Sequence, residues 1–67
     1  MLAKKIRELR IKKGLSQEKL AHLAGISYNT IVKIESGESK HPTFQTMAGI
    51  ARVLGVSLDF FAKDGII

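Results

Sequence analysis

Residues Leu15–Ile34 read LSQEKLAHLAGISYNTIVKI and contain two helix starts eleven positions apart. Ser16 and Ser27 each follow an apolar residue, Leu15 and Ile26, and each precedes another four positions on, Leu20 and Ile31. A serine hydroxyl can accept from the free backbone N–H groups of a helix's first turn. The flanking apolar pair can close over that turn as a hydrophobic staple and set the angle of entry. Two starts this close leave room for one short helix, a tight corner at Gly25, and a second helix.

Such a pair is a helix-turn-helix, a device that lays its second helix in the major groove of DNA. The rest of the chain extends it to an all-α fold of five helices. The first should run from about Ala3 to Lys13, with Leu2, Ile6 and Leu9 on one face and Gly14 ending it. The second runs from Ser16 to about Ala24 and turns Leu20, Leu23, Ala21 and Ala24 inward. The third runs from Ser27 to about Ser36, which sets the motif at residues 16–36. A loop, GESKHP, follows over residues 37–42. The fourth helix starts near Thr43, carries Phe44, Met47, Ile50, Ala51 and Leu54 inward, and stops at Gly55. Val56-Ser57 with Phe61 repeats the cap-and-staple pattern and opens a short fifth helix, so the C-terminal helices occupy residues 43–62. Gly49, inside the fourth helix, costs about 1 kcal/mol relative to alanine. It serves either a close helix contact or nothing, and the sequence leaves both open.

Sixty-seven residues form one domain, residues 1–67, with a thin margin of burial. No cysteine is present, which removes disulfides and thiolate metal sites and fits a reducing compartment. The N-terminus MLAKKIRELR places charge where a signal peptide would be apolar, and no run reaches membrane-spanning length. A soluble, cytoplasmic protein is expected. The net charge of +5 lies entirely in residues 1–40, where nine Lys/Arg face four acids; residues 41–67 are balanced. A one-sided basic surface attracts a polyanion.

Helical geometry selects the readers. At about 100° per residue, Ile31 and Ile34 define the buried direction of the third helix. Asn29 then points away, Val32 and Lys33 flank it, and Tyr28 and Thr30 lie at the borders. Asn can bond adenine through two atoms, and Lys can donate to the acceptors of guanine. Val32 can rest on a thymine methyl, and Tyr28 can pack on sugar or methyl groups. Tyr28, Asn29, Val32 and Lys33 are therefore the expected base contacts. Gln17, in the first turn of the second helix, is an expected phosphate contact because backbone N–H groups and the helix dipole favour an anion there. Ser27, Thr30, Ser36 and Lys40 are placed to add donors.

With these residues in place, the chain resembles the Cro/phage-repressor (XRE) helix-turn-helix family of DNA-binding transcriptional regulators. The pattern is carried by Gln17, Ala21, Gly25, Ile31 and Ile34, then Glu35-Ser36-Gly37, then Pro42, Ile50, Ala51, Leu54, Gly55, Val56 and Ser57. It spans roughly residues 4–61. The resemblance implies a compact lambda-repressor-like domain that binds double-stranded DNA sequence-specifically, as a repressor or autoregulator. It implies a structural ion pair between Arg10 and Glu35. It also implies a homodimer on a two-fold symmetric operator, for which Leu58, Phe60, Phe61, Ile66 and Ile67 form the expected interface. The competing reading is that Leu58 and Phe61 complete the core. Many relatives continue into a long C-terminal domain, so a chain ending at Ile67 is either a stand-alone regulator or a fragment.

Other function classes fare worse. His22 and His41 stand nineteen positions apart with no ligand pair at helical spacing, so no metal or cofactor is implied. The serines at 16, 27 and 57 are explained as caps, which leaves no nucleophile beside a base. An antitoxin-type module that binds a protein partner is the serious rival. Its interface would shed charge at its centre, which the Tyr28, Asn29, Lys33 patch does not.

Overall fold

The computed structural model describes residues 2–64, with side chains placed through Phe61. Four helices follow in order: α1 (Leu2–Lys12), α2 (Gln17–Ala24), α3 (Tyr28–Glu35) and α4 (Phe44–Leu54). A 3-10 segment, Leu58–Asp64, closes the described chain, and no strand occurs among these residues. The fifth helix expected from sequence is thus corrected to a 3-10 turn. Phe60 N–H donates to the Ser57 carbonyl at 3.1 Å, an i→i+3 bond. A cap with one apolar residue four positions on describes a first turn of either helix type, so the pattern could not separate them.

The three α-helices after the first start as their caps dictate. Lys19 N–H donates to Ser16 Oγ at 3.0 Å and Thr30 N–H to Ser27 Oγ at 3.1 Å. Thr46 N–H donates to Thr43 Oγ1 at 3.1 Å. Each cap stands one residue outside its helix. At the corner, Gly25 adopts φ 73°, a left-handed conformation that side chains resist. It lets Ile26 N–H reach back to the Ala21 carbonyl at 3.0 Å, which seals α2 and aims the chain into the next cap.

α2 packs against both α3 and α4, α1 against α3, and the 3-10 segment against α4. Ile6, Leu20, Ile31, Met47, Ile50 and Phe61 lie at the centre with no exposed area. Two residues expected inside are not. Leu23 is 41% exposed and Phe44 60%. Leu20, Ala21 and Ala24 set the inward face of α2, and at about 100° per residue Leu23 falls well off it. Phe44 occupies the first position of α4, ahead of the turn where Met47 meets the core.

Gly49 answers the question its sequence position raised. A Cβ there would stand 2.5 Å from the Ala24 carbonyl oxygen, so α4 approaches the end of α2 more closely than a side chain at this position would allow. Arg52 Nη2 donates to the Leu23 carbonyl at 3.0 Å beside it, which ties the two helices again. Gly49→Ala should therefore destabilise by about 1–3 kcal/mol, although alanine is the better helix former. A higher melting temperature for the variant would show that the contact yields freely.

Candidate nucleic-acid interface

α3 is held from behind. Ile31 and Ile34 are buried, and Glu35 at the helix end is only 5% exposed. On the opposite side Tyr28, Asn29 and Lys33 are exposed and Val32 is half-buried. The structure thus brings the four sequence-expected base readers to one face, over the first turn and a half of α3. That face offers hydrogen-bonding groups, one cation and one branched apolar side chain, a mixture suited to base edges in the major groove.

The hydroxyl groups assigned to phosphates are engaged within the chain. Ser27 Oγ and Thr30 Oγ1 lie 2.8 Å apart, so both serve the start of α3. Ser36 Oγ donates to the Lys33 carbonyl at 3.0 Å and accepts from Glu38 N–H at 3.3 Å. Ser39 N–H donates to the same Lys33 carbonyl at 3.0 Å, which folds the following loop onto the end of α3. Lys40 stands exposed on that loop.

Beneath this surface, one carboxylate joins three elements. Arg10 Nε donates to Glu35 Oε2 at 2.7 Å and Arg10 Nη2 to Glu35 Oε1 at 3.0 Å, a two-pronged ion pair between α1 and α3. Its side chains are 13% and 3% exposed. Arg10 Nη1 donates to the Leu15 carbonyl at 2.8 Å. Gln17 Nε2 donates to Glu35 Oε1 at 3.1 Å. The hydrogen bond to Glu35, helped by its charge, raises the Arg10 pKa above the ordinary arginine value, although burial pulls the other way. While Glu35 is ionised, the guanidinium's contribution is therefore kept until pH rises through that raised value.

The family resemblance implied the Arg10–Glu35 pair, but the sequence did not show that Gln17 joins it or that Arg52 ties α4 to α2. Neither has a local signal, since each partner lies on another element.

The expected dimer face divides. Phe61 is fully buried within the protomer, and Leu58 is half-buried against the core. Phe61 therefore leaves the interface set and joins the core. Phe60 stays 43% exposed, packs edge-on to Phe61 with centroids 5.3 Å apart, and lies under Lys5 Nζ at 5.1 Å. Ile66 and Ile67 lie outside the described residues. Among those residues no cluster of three His, Cys, Asp or Glu gathers, and no helix is long and apolar enough to cross a membrane.

Fold and face together define a helix-turn-helix domain with an exposed second helix. Residues 6–61 match the helix-turn-helix family model, and the chain belongs to that family. It is 39% identical over 61 residues to an uncharacterised HTH-type transcriptional regulator of Archaeoglobus fulgidus, covering 90% of this chain and 86% of the relative. It is 33% identical over 64 residues to the cryptic phage CTXphi transcriptional repressor RstR of Vibrio cholerae, covering 96% of this chain and 57% of the relative. It likewise spans 57% of a Bacillus subtilis prophage-derived regulator, YonR, so its first relatives are longer proteins. Among solved structures, the biofilm master regulator SinR in complex with DNA superposes with a TM-score of 0.88 at 29% identity. That match covers 92% of this chain and 98% of the other.

Proposed function

We propose that this domain is the DNA-reading part of a transcriptional regulator, a repressor or autoregulator, and that it inserts α3 into the major groove. The observation that carries the reading is the exposed face of Tyr28, Asn29 and Lys33 on a helix locked from behind by Ile31, Ile34 and Glu35. Support comes from the relative that is a phage repressor and from the similar fold solved on DNA. Tyr28, Asn29, Val32 and Lys33 contact bases. The start of α2 at Gln17, the start of α3 at Ser27 and Thr30, and the loop of Ser36 and Lys40 contact phosphates, which fix position without carrying sequence. The engaged hydroxyls leave Lys40 as the principal loop contact.

Two copies joined near Leu58 and Phe60 would read half-sites about one helical turn, roughly 34 Å, apart. Selection of bound duplexes from a random pool tests this: a short enriched site with two-fold symmetry is expected. Failure to enrich any sequence would reject specific reading. Affinity for the selected site should fall steeply with salt as counterions are released. Lys40→Ala should weaken selected and scrambled duplexes alike and flatten the log–log salt slope by about one. An unchanged slope would remove Lys40 from the phosphate contacts.

A further inference from the structure

We propose that the hollow between the start of α1 and the loop after α3 binds a small carboxylate with an apolar body, and that its occupant weakens DNA binding by engaging Lys40. The effect on DNA rests on the DNA-binding reading above, whereas binding to the hollow stands apart from it. The hollow holds about 280 Å³. Leu2, Ala3 and Ile34 form its wall, and Leu2 and Ile34 belong to the hydrophobic core. Ser39, Lys40 and His41 line it from the loop, and none of the described lining residues is acidic.

Local chain geometry keeps this space open. Gly37 adopts φ 87° and donates its N–H to the Ile34 carbonyl at 3.1 Å, while Ser39 N–H reaches the Lys33 carbonyl at 3.0 Å. The loop is thereby fixed against the end of α3 before anything binds, which lowers the ordering cost for a ligand. A Cβ built on Gly37 would meet nothing within 4 Å, and Ala3 on the α1 side offers only a methyl group. The lining then selects the occupant. Inorganic phosphate would use Lys40 but gain nothing from the apolar wall, and a hydrocarbon would leave the ammonium unused. A carboxylate on a single ring or short chain meets both. The volume, near the lower end of roughly 300 Å³ for ligand pockets, suits no larger body. With its charge answered by a carboxylate, Lys40 is lost as a phosphate donor.

The test uses the full chain, with benzoate as probe and benzamide as its uncharged counterpart, at matched ionic strength. Without DNA, benzoate should shift the amide resonances of Ala3 and of residues 37–41 saturably. Benzamide should bind about tenfold more weakly, the worth of one charge-assisted hydrogen bond. Lys40→Ala should weaken benzoate by about the same factor and leave benzamide unchanged. Ala3→Phe should fill the hollow, melt close to wild type and bind neither probe. No saturable shift at these residues, or equal affinity for the two probes, would overturn the proposal. Ala3→Phe binding benzoate like wild type would overturn it too, and the Lys40→Ala comparison keeps the test decisive if Ala3→Phe fails to fold. Saturating benzoate should then weaken wild type about fivefold on a selected and a scrambled duplex alike, and leave the affinity of Lys40→Ala unchanged. Benzoate that fills the hollow without changing wild-type affinity would overturn the effect on DNA. Wild type binding no duplex at all would instead sink the DNA reading, while the titration without DNA still judges the hollow.

Discussion

Phe61→Ala is expected to cost about 3–5 kcal/mol, the usual range for emptying a buried aromatic site. The ring has no exposed area and completes the core of a domain that has few large side chains to spare. A chain of 67 residues has a total stability of roughly 3–10 kcal/mol at ordinary per-residue values, so this single change removes much or all of it. Helical circular dichroism at 25 °C should fall toward that of an unfolded chain. Phe60→Ala, one residue earlier, supplies the contrast. Phe60 is 43% exposed and its contact with Lys5 is worth about 0.5–1 kcal/mol, so the variant should stay folded. If Phe60 belongs to a dimer face, the loss should appear instead as weaker self-association. A folded Phe61→Ala with near-native melting would show that the 3-10 segment is dispensable.

Glu35→Ala is expected to cost about 3 kcal/mol, the low end for breaking a buried ion pair from one side. The low end applies because Arg10 keeps 13% exposure and can relax toward water, whereas Glu35 at 3% cannot. The change strands the guanidinium and releases Gln17, so α1, the start of α2 and the end of α3 lose their common anchor. For a domain of this size each kcal/mol moves the melting temperature by roughly 4–8 °C. A fall of only a few degrees would mean that the pair contributes little and that apolar packing alone sets the helix angles.

The elements most legible in the sequence were those whose signals are local. Ser16, Ser27 and Thr43 each write a helix start within four residues, and the matching N–H···O bonds form. The outward face of α3 was equally legible, because Ile31 and Ile34 fix its phase at a period that any helix obeys. Leu23 and Phe44 were misplaced for a tertiary reason. Hydrophobic character alone puts both inside, but the inward direction is set by what packs opposite, and both residues stay largely exposed. For Gly49 the sequence left a close helix contact and mere tolerance equally open, and the Ala24 carbonyl packed against it on another helix decides for the contact. The link from Gln17 to Glu35 joins residues eighteen positions apart on different helices, a distance at which no periodicity speaks.

The most direct measurement is the affinity of Asn29→Ala for a selected duplex and for a scrambled one at equal salt. Asn29 is exposed and points away from Ile31 and Ile34, so the variant should melt like wild type. A base-reading Asn29 should lose about 1–3 kcal/mol on the selected site, tenfold or more, with little change on the scrambled duplex. Equal loss on both duplexes, or no loss on either, would contradict α3 as the element that reads sequence.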